Sequence, residues 1–139
     1  MSVIKIYFWM TMVITVIASI LNVGLLMIII AIVVIPLIVS QIKIGLNLEY
    51  LHSQRLMLLF SSTNFLIFSL IRPDGVHGFN QTGFTALVVF FGYSNTFPIE
   101  MIDEVLLISC ISLFVQIILN VVILRKLRVL KNEDSMISG

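Results

Sequence analysis

Charge is the scarcest property of this chain. Its 139 residues include 8 Lys and Arg and 7 Asp and Glu, so 11% are charged, against about 25% in an ordinary soluble domain. The few charges are clustered, with none between Lys5 and Lys43, Arg55 and Arg72, Asp74 and Glu100, or Glu104 and Arg125. With 60% hydrophobic residues and a mean hydropathy of +1.17, a soluble globule is excluded. Cysteine is nearly absent. Cys110 alone excludes an intramolecular disulfide and, with no cation nearby to lower its pKa, is expected to be a small buried apolar residue. The two histidines, His52 and His77, fall in separate loops without Cys, Asp or Glu at ligand spacing, so no metal or haem site is expected. G-x-S-x-G, P-loop and dinucleotide patterns are missing, and Gly75, Gly78 and Gly83 lack the strand-turn-helix setting of a phosphate loop. Asp103-Glu104 suits a pair of solvated carboxylates at a helix N-terminus. The expectation is a non-enzyme without cofactors and without a nucleic-acid partner.

What the chain has is long uncharged apolar runs, which read as spans of a lipid bilayer. Lipid demands that every backbone polar group find an internal partner, so the choice lies between helices and a closed barrel. These runs lack the alternation of barrel strands. The fold class expected is all-α: one domain, a polytopic integral membrane bundle of about four transmembrane helices. The spans lie near 9–38, 56–71, 83–98 (short or re-entrant) and 105–124, with 125–139 a polar cytoplasmic tail. The first apolar run is too long for a cleaved signal peptide and is expected to be an anchor, and neither end carries a lipidation signature.

The first run, residues 6–42, is about twice what a membrane of roughly 30 Å needs. It is either one long helix or a hairpin folded near Leu21-Asn22-Val23-Gly24. Tyr7 and Trp9 suit an interfacial belt, and Pro36 is a kink point. Residues 43–55 read as a loop or interfacial helix, and Arg72-Pro73-Asp74-Gly75 is a turn signature. Counting Lys and Arg, a single first helix with 83–98 crossing gives six inside against two outside. A hairpin with 83–98 not crossing gives seven against one. Both arrangements place the two termini in the cytoplasm, and the loop pairing stays open.

Two polar stripes run through the spans. Thr11, Thr15, Ser19 and Asn22 fall on one face of the first run, and Ser109, Ser112, Gln116 and Asn120 on one face of the last. Such residues let helices approach and bond across the contact, or else line a polar pathway. In the 56–71 span Ser61, Ser62, Thr63 and Asn64 are consecutive and point in four directions. The hydroxyls can bond back to their own helix, so Thr63 and especially Asn64 are the residues to watch, Asn64 because it needs a partner outside. This span is therefore expected to be the most enclosed. Arg125, Lys126, Arg128 and Lys131 form the basic flank that ends the last span, at the level of anionic headgroups. Asn80-Gln81-Thr82 fits a glycosylation sequon, and nine aromatic residues between Phe60 and Phe97 suit a packed core. Gly92-Tyr93-Ser94-Asn95-Thr96-Phe97 is similar to the Phe-Ser-Thr-Phe break in the third span of the small fluoride channels. The Gly-rich motifs of that family's first two spans are absent, so no membership is implied.

The functional expectation is a small protein acting through helix-helix contacts, as an accessory or assembly subunit of a membrane complex or as a homo-oligomer. Its partners would be the lipid bilayer and other transmembrane helices. The alternative is a channel or carrier for a small ion or neutral solute.

Overall fold

A computed structural model of the protein describes residues 2–74, 81–94 and 99–137. Five α-helices follow one another: α1 (Ser2–Leu21), α2 (Leu25–Gly45), α3 (Arg55–Ile71), α4 (Gly83–Phe90) and α5 (Ile102–Ile137). Four helical stretches, ending at Leu21, Gly45, Ile71 and Asp134, are long and apolar enough to cross a membrane. The all-α multi-pass bundle is therefore what the chain builds. One small antiparallel pair accompanies the helices, β1 (Pro73–Asp74) against β2 (Gln81–Thr82), with Pro73 opposite Thr82.

The first run is not the single span 9–38. The chain breaks at Asn22-Val23-Gly24, where Gly24 takes an extended conformation ahead of α2. α2 then returns beside α1, bringing Gly45 so close to Phe8 and Trp9 that a Cβ on Gly45 would lie 2.8 Å from each ring. At the opposite end Asn22 meets Arg72 just past α3. α3 therefore runs in the direction of α1. α5 runs against α3, since Asn64 meets Ser112 and Gln54 meets Lys126.

α4 is not a span. Its 8 residues rise about 12 Å, well short of a roughly 30 Å core. Residues 95–98, the end of the expected 83–98 segment, lie outside the described residues, as do His77 and Asn80 of the sequon. α4 starts with a capping box, Thr82 Oγ1 accepting from Thr85 N and Thr85 Oγ1 from Thr82 N. It is pressed onto the end of α3, where a Cβ on Gly83 would lie 1.9 Å from the Ser69 carbonyl oxygen. Only glycine permits that approach.

Residues 125–137, expected as a tail, continue α5 as helix. They contain no Pro or Gly to stop it, and Leu124, Leu127 and Leu130 keep it packed on the core. The hairpin and the non-crossing α4 correspond to the seven-to-one arrangement: Lys5, Lys43, Arg55, Arg125, Lys126, Arg128 and Lys131 share one end, and Arg72 sits alone at the other.

α3 has the lowest mean hydropathy of the four spans, 1.3, yet lies between α1 and α5. None of Ser61, Ser62, Thr63 and Asn64 is exposed, although Phe60 and Ile67 of the same helix reach the surface, so the enclosure is local to the polar cluster. Cys110 is exposed on α5, contrary to the buried position expected, because its stripe neighbours Ser109 and Ser112 take the inward face. Among the aromatic residues, Phe8, Phe65 and Phe68 belong to the core, whereas Phe84, Phe90, Phe91 and Tyr93 are exposed.

Candidate functional site

The polar side chains of α2, α3 and α5 converge into one buried network. The stripe of α5 faces inward at one-turn intervals, and Gln116 is its centre. Gln116 Nε2 donates to Ser61 Oγ (3.0 Å) and to Asn120 Oδ1 (2.8 Å), and its Oε1 accepts from Asn64 Nδ2 (3.0 Å). Asn64 Nδ2 also donates to the Ser112 carbonyl (2.9 Å), and Ser112 Oγ donates back to Asn64 Oδ1 (3.0 Å). From α2, Gln41 Nε2 donates to Ser61 Oγ (2.8 Å) and Asn120 Oδ1 (2.7 Å). Asn120 Nδ2 completes the ring toward Ser40 Oγ and the Leu37 carbonyl. Gln41 and Gln116 are fully buried. In lipid the only alternative to such bonds is an unsatisfied polar group, so the set fixes three helices relative to one another.

Gln41 and Ser40 were not legible as members. They stand at the end of the first apolar run, beside Lys43, where polar residues normally mark the water boundary. The signal available was weak, since two adjacent polar residues about 100° apart can both face outward and their pairing alone does not give α2 its rotation. Ser61 also departs from back-bonding: Ser62 and Thr63 return their hydroxyls to the Leu59 carbonyl, whereas Ser61 accepts from two glutamines.

A second polar cluster lies where the ends of α1 and α3 meet the start of α2. Pro73 holds the preceding Arg72 extended (φ −55°, ψ 119°), and this turns its side chain inward until it is fully buried. Arg72 Nη2 donates to the Asn22 carbonyl (2.7 Å) and Asn22 Nδ2 to the Arg72 carbonyl (2.8 Å). Asp74 Oδ2 lies 3.9 Å from Arg72 Nε and accepts from Met27 N at 2.7 Å. α2 has neither an acidic residue in its first turn nor a side-chain N-cap of its own, so Asp74 supplies one from 47 residues away. Burial lowers the pKa of the Arg72 guanidinium from its ordinary value, and the neighbouring Asp74 carboxylate partly offsets this. The guanidinium also lies over the Phe68 ring.

The stripe of α1 points the same way and is buried throughout. Thr11 bonds to the Tyr7 and Phe8 carbonyls of its own helix. Thr15 Oγ1, Ser19 Oγ, Asn22 Oδ1 and the Arg72 Nε and Nη1 atoms are buried without a hydrogen-bond partner among the described residues, as is Gln41 Oε1. Thr63 meets α1 through Tyr7, whose hydroxyl lies 2.6 Å from Thr63 Oγ1. Ser109 is buried at the upper end of the α5 stripe.

At the basic end, Lys126 Nζ donates to Gln54 Oε1 (2.8 Å) and Lys131 Nζ lies 5.1 Å from the Tyr50 ring centroid. Arg125 and Arg128 are exposed. Among the described residues no three His, Cys, Asp or Glu side chains gather where a metal ion could be held. Two amide-rich networks, one joining three helices and one holding a buried Arg–Asp pair, thus form the chemistry of this multi-pass membrane protein. No family model, no curated protein and no solved structure matches the chain.

Proposed function

We propose that the chain is a non-enzymatic membrane protein that works through helix-helix contacts, as an accessory or assembly subunit of a membrane complex or as a homo-oligomer. One observation carries this reading. The polar side chains of the spans are turned into their own bundle, while the half-length α4 and the turn after it hold Phe84, Phe90, Phe91 and Tyr93 at 59–71% exposure. What the molecule offers a neighbour is therefore apolar and aromatic, and each aromatic pair formed across such a contact contributes about 0.5–1.5 kcal/mol. The charge asymmetry supports an orientation with both termini and the 46–54 connection in the cytoplasm and α4 on the far side.

The test is a photocrosslinking residue at Phe90 in native membranes, with particle mass measured in mild detergent. A single adduct of defined mass is expected, lost in Phe84→Ala/Phe91→Ala. A monomer without an adduct refutes the reading.

The alternative, a channel or carrier for a small ion or neutral solute, draws on the line of unpartnered atoms from Thr15 through Ser19 and Asn22 to Arg72. Proteoliposomes with no flux above protein-free vesicles would sink it.

A further inference from the structure

α2 and α5 do not close on each other along their whole length. Between them runs an open apolar groove of about 390 Å³, walled by Ile32, Val33 and Pro36 on one side and Ile117 and Val121 on the other. Asn120, bonded to Ser40 and the Leu37 carbonyl, lies along it and ties the two helices together there. At Leu124 the groove meets a second crevice of about 290 Å³, lined by Lys43, Leu127, Arg128, Lys131 and Asn132. The described lining of that crevice includes three cations from two helices and no carboxylate.

We infer that this seam binds one anionic phospholipid from the leaflet at the basic end, with the headgroup phosphate among Lys43, Arg128 and Lys131 and an acyl chain along the groove. Charge complementarity selects the headgroup. A phosphate without a compensating ammonium suits three converging cations, whereas a choline headgroup brings a further positive charge to the same place. The dimensions select a lipid over a free anion. From Ile32 to Lys43 is 11 residues, or roughly 16 Å along α2, about half of a 30 Å hydrocarbon core. The apolar groove thus ends at the cations at the depth where one leaflet changes from chain to headgroup. The groove lies between α2 and α5, away from the α4 aromatic patch, so the inference is independent of the proposed partner contact.

Native mass spectrometry of the purified full chain, titrated separately with phosphatidylglycerol, phosphatidylcholine and inorganic phosphate, tests it. Wild type is expected to hold phosphatidylglycerol in preference to phosphatidylcholine. Lys43→Gln/Arg128→Gln is expected to weaken phosphatidylglycerol about 25-fold, two steps of about fivefold each. Val121→Trp, which fills the groove and leaves every cation in place, is expected to weaken it too. Arg55→Gln/Arg125→Gln, the same charge change outside the crevice, is expected to leave binding within about twofold of wild type. Equal binding of the two lipids, or equal loss in the two double variants, overturns the proposal. So does phosphate binding alone with Val121→Trp unaffected, which would identify an anion pocket without a lipid. All these substitutions are at exposed positions, and helicity by circular dichroism verifies that each variant is folded.

Discussion

Replacing Gln116 by Met keeps an unbranched side chain of similar length at the centre of the network and removes its three hydrogen bonds, to Ser61, Asn120 and Asn64. Each partner retains another bond: Ser61 Oγ and Asn120 Oδ1 still accept from Gln41, and Asn64 Nδ2 still donates to the Ser112 carbonyl. No orphan is created, so the cost is that of the bonds themselves, about 0.6 kcal/mol each within a membrane and about 2 kcal/mol in all. Gln41→Met removes only two bonds and also disposes of the buried, unpartnered Gln41 Oε1, so it should cost about 1 kcal/mol or less. The two glutamines share Ser61 and Asn120 as acceptors. The double variant takes the glutamine donors from both, and should therefore exceed the sum of the single changes by roughly 1 kcal/mol. Unfolding in mixed micelles titrated with a denaturing detergent, followed by helicity, measures all three. If Gln41→Met proves as costly as Gln116→Met, or the double variant is simply additive, the network is not wired as described.

Gly83→Ala forces a Cβ against the Ser69 carbonyl, so α4 should detach or the bundle lose about 1–3 kcal/mol. Faster labelling of a cysteine placed at Val88 would report the detachment. Asp74→Asn leaves the buried Arg72 guanidinium without its counter-charge and should cost about 3–5 kcal/mol, while Arg72→Met/Asp74→Asn together should recover most of that loss. A double variant as unstable as the single one would contradict this account of the pair. On a Cys110→Ala background, cysteines at Ser53 and Asn132 should label from the same side of sealed vesicles and one at Ser94 from the other. Ser53 and Asn132 reacting from opposite sides would rule out the hairpin of α1 and α2.

The membrane class was legible because it rests on something the chain cannot hide, the gaps between charges. The two stripes were equally plain, since side-chain direction repeats with the helix turn, and Thr11, Thr15, Ser19, Asn22, Ser109, Ser112, Gln116 and Asn120 all lie inside. Periodicity names the inward face of a helix but not what that face meets. The partners of Asn64 and Asn120 therefore came only with the fold, and Gln41 was hidden by its place at a run's end. Arg72 shows the same limit more sharply. A charged residue in a turn signature reads as solvated, and only the arrival of Asn22 and Asp74 makes burial tolerable. The hairpin at Asn22 and the extent of α4 turned on weak turn residues in an almost featureless apolar background. Helix extension through residues 125–137 depended on Leu127 and Leu130 finding a core to rest on.

The way α1 is attached has a mechanical consequence. Among the described residues, its side-chain hydrogen bonds to the rest of the molecule sit near its two extremities, Tyr7 with Thr63 and Asn22 with Arg72, while Thr15 and Ser19 between them engage nothing. α2, α3 and α5 are bolted together through Gln41, Ser61, Gln116 and Asn120, but α1 is a beam pinned at both ends. It can bow between those two points without breaking a polar bond, whereas sliding α5 by one turn would pull Gln116 and Asn120 away from Ser61, Asn64, Gln41 and Ser40 and leave them only their bond to each other. Among the described residues the middle of α1 is thus held by packing without polar ties to its neighbours, and α4 rests on that same helix.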